Sequence, residues 1–140
     1  MADGIDFDLS ELTTLAADLG KVADNAGPFI RSAVQFTATN VKRDAAKSVG
    51  SSAKGWKPAA ASIDYDIKAE AGHGGSNLTA EVGYNKEKGA GPLGSLREFG
   101  APGQQLAPHN DLANALEANQ ADFQKGLEIA LRDAERKAGL

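Results

Sequence analysis

Apolar residues in the first third of the chain recur at steps of three and four residues, the spacing of an amphipathic helix. A helix is predicted over 9–23, with its apolar positions at Leu9, Leu12, Leu15, Leu19 and Val22. The sequence NAGP indicates its end, and Pro28 suits the first turn of a second helix, where a missing N–H group loses no partner. This second helix is predicted to end at Gly50. Its apolar face consists of Phe29, Ala33, Phe36, Val41, Ala45 and Val49.

The middle of the chain changes to strict alternation of apolar and polar residues, the pattern of a strand with one buried face. Two segments alternate in this way, one from Ile63 to Glu70 and one from Leu78 to Tyr84. The glycine-rich AGHGGSN between them predicts a β-hairpin. Because an isolated hairpin is marginal in water, we expect its apolar face to cover the helices or its edge to pair with another strand.

The segment 85–107 is longer than an ordinary connection and rich in glycine, so a flexible loop is predicted there. A last, long helix is predicted to begin near Asn110, a favourable N-cap residue, with Asp111 at its positive end. The order of elements predicts a single α+β domain over 1–140. It would contain two N-terminal helices, a β-hairpin or small antiparallel sheet, the long loop and the long C-terminal helix.

Composition narrows the classes of function. The chain of 140 residues carries a net charge of -4, with a pI near 5.1, which argues against a dedicated nucleic-acid-binding protein. It has no cysteine, which excludes disulfides, thiolate catalysis and cysteine metal sites. The N-terminal MADGIDFDLSEL does not have the pattern of a signal peptide, and no stretch approaches the ~18 apolar residues of a membrane span. A soluble protein made in the cytoplasm, with no membrane partner, is expected.

Candidate catalytic and metal-binding groups are few. His73 and His109 stand outside any spaced ligand motif, which favours a hydrated turn histidine and a histidine at a helix start. Asp64 and Asp66 could act as an acid–base pair, but both fall on the polar side of a strand, which favours a solvated face. The glycine clusters lack the lysine and the strand–loop–helix frame of a phosphate-binding loop. We therefore expect no catalytic residue, metal or cofactor.

Basic residues and the single tryptophan are candidate contact residues. A charge-complementary face for a partner is predicted on the second helix, at Arg31, Lys42, Arg43 and Lys47. Nearby carboxylates dilute this charge, so a solvated face or a partner surface is favoured over DNA contact. Trp56 either anchors the linker 50–61 to the core or packs into a neighbouring subunit, because tryptophan is enriched at interface centres.

The sequence LREFGAPG at 96–103 fits either a catalytic loop or a packing corner. A catalytic loop would use Glu98 as an acid near His109, but this lone carboxylate has no partner at a suitable spacing. In a corner, Glu98 caps a backbone N–H group or pairs with a basic residue such as Arg43. The corner reading also predicts that Leu96 and Phe99 pack inward and that Gly100 takes a conformation closed to other residues. Pro102 would stiffen the exit. The candidate assembly residues are Trp56, Leu96, Arg97, Glu98, Phe99, Gly100 and Pro102.

The layout of the chain resembles the tail-completion, or head-to-tail joining, proteins in the neck of long-tailed bacteriophages. The residues that carry the resemblance are Lys42 to Lys47, Ser62-Ile63, Val82 to Tyr84, Glu98-Phe99-Gly100, and Pro108 before Leu112 and Leu116. The chain departs from the family pattern at KGWKPAAAS, where Thr-Gly is usual, and at PHNDL, where Pro-Phe-Leu is usual.

The resemblance implies a non-enzymatic virion protein that forms a homo-oligomeric ring, of six or twelve subunits, in the phage neck. Its neighbours would be the connector or stopper on the head side and the tail terminator or tail tube protein. DNA would pass through the ring without sequence-specific binding. The alternatives are a tail terminator, another tail-tube-associated protein or a toxin–antitoxin type interaction module, and, least favoured, an enzyme using Glu98 and His109.

Overall fold

The computed structural model describes residues 3–8, 21–72, 75–137 and 139. Strand β1 (Asp3–Asp8) comes first, and the long helix α1 (Lys21–Ser52) leads through a 3-10 turn (Lys54–Trp56) into the short helix α2 (Lys57–Ala61). The strands β2 (Ile63–Gly72) and β3 (Gly75–Tyr84) follow. Helix α3 (Gly91–Phe99), a second 3-10 turn (Pro102–Gln104) and the long helix α4 (Asp111–Lys137) complete the described elements. The α+β class and the long C-terminal helix are confirmed.

Helix α1 continues through the point where the sequence predicts a break. Pro28 lies inside it, and residues 21–27 are helical, so the prediction that NAGP separates two helices was wrong. Proline removes one backbone hydrogen bond from a helix interior. The buried residues described on α1 lie after Pro28, from Ile30 to Val49. Residues 9–20 of the predicted first helix lie outside the described residues.

The buried face of α1 is rotated relative to the predicted one. It consists of Ile30, Val34, Ala38, Val41, Ala45 and Val49, at steps of three and four residues. Phe36, predicted to be in the core, is 68% exposed. The predicted face was correct from Val41 onward, where α1 meets both the sheet and α4.

Helix α4 packs antiparallel to α1. At one end, Ser48 Oγ donates a hydrogen bond to Asp111 Oδ1 over 2.8 Å, and at the other end Lys137 Nζ lies 5.9 Å from the centre of the Phe29 ring. Between them, buried Asn119 donates from Nδ2 to Asp44 Oδ2 over 2.9 Å. The two helices are therefore held together along most of their shared length.

The three described strands form one antiparallel sheet in the order β1-β3-β2. In the predicted hairpin, Ile63 pairs with Tyr84, and the pairing continues to Gly72 and Gly75. Ile63, Ala80, Val82 and Tyr84 are fully or almost fully buried in the same core as α1. Strand β1 pairs with the other edge of β3, from Asp3 opposite Tyr84 to Asp8 opposite Thr79. Both expectations for the hairpin are confirmed, since it packs on the helix and its edge is paired.

The prediction of a flexible loop over 85–107 was wrong, because part of this segment is helical. It contains α3, which has Pro92 in its first turn, and the 3-10 turn at Pro102. The segment holds five glycines, and the two inside α3, Gly91 and Gly94, lower its helix propensity and hid the helix in the sequence. Their role becomes visible only in the packing around α3.

Candidate functional site

Arg97 and Asp111 form a buried ion pair between the end of α3 and the start of α4. Arg97 Nε donates to Asp111 Oδ2 over 2.8 Å, and each side chain is 6% exposed. The other carboxylate oxygen of Asp111 accepts the bond from Ser48 on α1. A single carboxylate thus joins three helices, and it is satisfied on both oxygens, as a buried charge must be.

Trp56 lies on the other side of Arg97. The Arg97 guanidinium carbon is 4.8 Å from the centre of the Trp56 ring, within the range of a cation–π contact. Trp56 is half-buried and packs against the core. Of the two roles left open by the sequence, this geometry supports the anchor for the linker.

Glu98 caps helix α4. Its carboxylate accepts hydrogen bonds from Leu112 N at 3.0 Å and Ala113 N at 3.1 Å, and the side chain is 2% exposed. The first N–H groups of a helix have no partner within the helix and carry its positive end charge, so a carboxylate is favourable there. The capping role predicted for Glu98 is confirmed. Glu98 does not pair with Arg43, whose side chain contacts Asn40 and Asp44 instead.

Backbone hydrogen bonds also hold the end of α3 close to the start of α4. His109 N donates to Arg97 O over 2.9 Å, while Gly100 N donates to Leu96 O over 2.8 Å and ends α3. Gly100 has φ of 79°, as predicted for a position closed to other residues. Ala101 and Leu106 pair across the turn that follows. We call Arg97, Glu98, Gly100 and Asp111 the corner cluster.

Two glycines allow α3 to approach the sheet closely. A methyl group at Gly94 would overlap the ring of Tyr84, and one at Gly91 would overlap the backbone of Asn85. Tyr84 is fully buried below α3, and its hydroxyl has no hydrogen-bond partner within the described part of the chain. Burial, with the negative charges of Asp111 and Glu98 nearby, raises the pKa of this hydroxyl. The Tyr84 hydroxyl therefore stays neutral, and its ring packs against α3.

The outer face of α3 is apolar and exposed. Leu93 is 47% exposed, Leu96 45% and Phe99 59%, so the prediction that Leu96 and Phe99 pack inward was wrong. The inward face holds Gly91, Gly94, Arg97 and Glu98 instead. Because residues three apart on a helix are neighbours, the three exposed side chains form one stripe, which we call the α3 stripe. Pro102 is also exposed, just beyond it.

The four basic residues of the predicted face of α1 have different surroundings. Lys42 turns toward the sheet, where Nζ lies 3.4 Å from Asp64 Oδ1 and 5.9 Å from the centre of the Tyr65 ring. Arg31, Arg43 and Lys47 are exposed, and Arg43 is held by its neighbours on the same helix. Of these four residues, Lys42 is the one that contacts the sheet.

The remaining candidates for chemistry are exposed or already paired. His109 is exposed, Asp66 is exposed, and Asp64 is paired with Lys42 and Lys88. His73 lies outside the described residues. Over the described ranges, no group of three or more metal-binding side chains is placed to hold an ion. No helix in the described part of the chain is long and apolar enough to cross a membrane.

Sequence reasoning missed two members of this site, Ser48 and Gly94. Ser48 is one of several serines on an outer helix position, and nothing in its spacing points to Asp111. Gly94 could have been found from the motif GPLG, because proline in the first turn of a helix is favourable. The corner cluster became visible only when α1, α3 and α4 were placed together.

The corner cluster makes stability depend on pH. Burial by itself raises the pKa of Asp111, but the hydrogen bonds from Arg97 and Ser48 and the charges of Arg97 and His109 outweigh it, holding the pKa below its ordinary value of 3.8. A depressed folded-state pKa stabilises the protein above the unfolded value of about 3.9, and this contribution is lost as pH falls through the folded-state value. We expect Asp111→Asn to be less stable than wild type at pH 7, with the difference shrinking below about pH 4. Urea unfolding of both proteins across this range measures it; a constant difference would contradict the assignment.

No protein-family model, no curated protein and no solved structure matches the chain. The corner cluster and the α3 stripe are therefore the basis on which a function is proposed.

Proposed function

We propose that this protein is a structural subunit of a homo-oligomeric ring in the neck of a long-tailed bacteriophage. The ring joins the head connector to the tail and lets DNA pass. The observation that carries the proposal is the α3 stripe, an exposed apolar surface on a short helix that is fixed from behind by buried charges. Such a surface is costly to leave in water, and a rigid one loses little entropy when it binds.

The position of this surface in the sequence connects it to the resemblance. The Glu98-Phe99-Gly100 motif contributes an inward capping carboxylate, an outward aromatic ring and a left-handed turn, all at one corner. A motif with one inward and one outward side chain fits an assembly element, in which one residue holds the helix in place and its neighbour contacts the partner. The motif, more than the overall α+β class, supports a neck protein.

The same geometry weighs against the enzyme alternative. Glu98 is the candidate acid, yet both its carboxylate oxygens are engaged by the N-terminus of α4 and its side chain is 2% exposed. A catalytic acid needs to reach the proton that it transfers, and His109 is exposed on the surface. A structural, non-enzymatic role without a cofactor is the better proposal.

The proposed partners follow from the position in the particle. Further copies of this chain would form the ring, of six or twelve subunits, with the connector or stopper on one side and the tail terminator or tail tube protein on the other. The net charge of -4 suits a ring that lets DNA pass without gripping its phosphates. The protein would be made in the host cytoplasm and reside in the virion.

Immunogold labelling of purified particles tests the location. An antibody against this chain is expected to label the junction of head and tail, and particles made without the chain are expected to accumulate as separate heads and tails. Label on the tail tube away from the junction would favour the tail-tube-associated alternative. Absence of the chain from purified particles would overturn the virion role.

A further inference from the structure

The inward face of α3 holds no large apolar side chain. Its buried residues are Gly91, Gly94, Arg97 and Glu98, while its large apolar side chains form the exposed α3 stripe. A surface helix of a globular protein normally turns its apolar face toward the core, and burial of that face holds the helix there. In α3 the arrangement is reversed. The helix is therefore attached to the rest of the molecule by close backbone approach and by charged side chains.

The apolar core is built without the segment that carries α3. We call residues 86–110, from the end of β3 to the start of α4, the α3 strap. Within the described ranges, none of the buried apolar core residues comes from the strap. They lie on α1, α2, α4 and the sheet, and include the fully buried Val34, Val41 and Val82. These elements would keep their packing against one another if the strap moved away.

Closing the strap takes three charged groups out of water. Arg97, Asp111 and Glu98 are almost fully buried. The loss of hydration opposes much of the attraction between buried charges, so an intact buried ion pair adds little net stability. If the strap opens, all three groups regain water, and Asp111 keeps its bond from Ser48 on α1. The contacts that close the strap are therefore opposed by a hydration term that the apolar core does not have.

Tyr84 adds a polar group that the closed strap leaves without a partner. Its ring lies directly beneath Gly94, where an added Cβ atom would overlap it. Its hydroxyl is buried with no hydrogen-bond partner in the described part of the chain. A buried hydroxyl without a partner is less stable than a hydrated one. Opening the strap would hydrate this hydroxyl while uncovering the ring.

We infer that the α3 strap opens as a unit while α1, α4 and the sheet stay folded. A segment with few buried apolar contacts belongs to the less stable units of a fold. The closed strap is the structure described above, and the open state is a minor one. Closed, the strap presents the α3 stripe in one orientation, whereas open it leaves the stripe unfixed and exposes Tyr84. The strap is thus a conformational device that controls the stripe, and it does not depend on the neck role.

Amide hydrogen exchange, followed by NMR at increasing urea below the unfolding transition, tests this inference. A nine-residue helix is not stable alone in water, so the strap amides exchange once the strap opens. We expect the amides of Gly100 and His109 to be protected at least about tenfold less than those of Val41 and Val82. Their exchange should also depend less steeply on urea, because opening exposes less surface than unfolding does.

The first turn of α4 gives a sharper comparison. Leu112 and Ala113 belong to α4, but their N–H groups donate to Glu98 in the strap. Both amides should therefore exchange with the protection and the urea dependence of the strap. Asn119 and Ala130, which are buried further along the same helix, are the matched controls and should exchange with the core.

Tyr84→Phe tests the part played by the hydroxyl. The variant keeps the ring and removes a group that gains water only when the strap opens, so strap protection should rise by at least about threefold. Tyr65→Phe is the control. The Tyr65 hydroxyl lies 3.5 Å from Thr39 Oγ on α1, and its loss should leave strap protection within about twofold of wild type. Faster strap exchange in Tyr84→Phe would mean that the hydroxyl holds the strap closed, which would overturn the inference.

The exchange pattern decides separately from the neck role. Equal protection and equal urea dependence in strap and core would overturn the inference, because the strap would then open only when the whole protein unfolds. The same holds if Leu112 and Ala113 exchange together with Asn119 and Ala130. A distinct strap, combined with absence of the chain from phage particles, supports the strap and overturns the virion role.

Discussion

Replacing Arg97 by alanine is expected to lower the free energy of unfolding by about 3–5 kcal/mol, because it leaves Asp111 charged, buried and without its cation. The change also removes the guanidinium from the face of Trp56. Thermal unfolding followed by circular dichroism measures the effect, which for a domain of this size corresponds to a midpoint lower by roughly 10–15 °C.

Arg43→Ala is the matched control for this prediction. Arg43 lies on the surface with its side chain 70% exposed and its nearest carboxylate oxygen at 3.8 Å. Its loss is expected to change stability by less than about 0.5 kcal/mol. The double variant Arg97→Ala/Asp111→Ala should lose less than the sum of its single changes, since neither member of the pair is left buried without the other. Equal effects of Arg97→Ala and Arg43→Ala would show that the buried pair does not hold α3.

Replacing Glu98 by alanine is expected to cost about 2–3 kcal/mol, because the N–H groups of Leu112 and Ala113 lose a charged acceptor in a buried place. Glu98→Gln should cost less, since its amide keeps one acceptor oxygen. The local readout is amide hydrogen exchange, in which Leu112 and Ala113 should exchange faster in both variants. Urea unfolding gives the change in global stability.

Glu128→Gln is the matched control for the prediction that Glu98 caps α4. Glu128 is exposed on the same helix α4, well away from its start, so its replacement should leave both stability and exchange at Leu112 unchanged. If Glu98→Gln behaved like Glu128→Gln, the carboxylate would not be acting as the cap. Faster exchange that spread evenly over α4 would instead indicate a loss of general packing.

Both replacements in the corner cluster also bear on assembly. Arg97 and Glu98 lie on the buried face of α3, opposite the α3 stripe, and in the proposed ring subunit they would hold the stripe in place for a partner. Without Arg97 or Glu98, α3 could reorient. Binding would then carry the entropic cost of fixing this helix in place. Stripe residues such as Phe99 should behave in the opposite way, affecting association while leaving the fold intact.

The sequence predicted the chemistry of Glu98 but not the surroundings that define it. The sequence predicted that Glu98 caps a nearby backbone N–H group or pairs with a basic residue, and it did not identify the start of α4 as the site that is capped. The contacts of Arg97 could not be predicted, because they depend on Ser48, Trp56 and Asp111, which come from three other segments. The direction of Leu96 and Phe99 was mispredicted for a related reason. Hydrophobicity alone sends them inward, whereas buried partners for two charges turn α3 the other way.

What the sequence by itself determined was local and periodic: strict alternation placed β2 and β3, and three- and four-residue spacing placed α1 and α4. These patterns are legible because a strand or helix with one buried face repeats its apolar residues at a fixed interval. The tertiary structure decided the rest, including the passage of α1 through Pro28, the rotation of its buried face away from Phe36, and the existence of α3. Each depends on what lies across the core. Gly91 and Gly94 weaken a helix in isolation, yet against Asn85 and Tyr84 they are what allows α3 to pack.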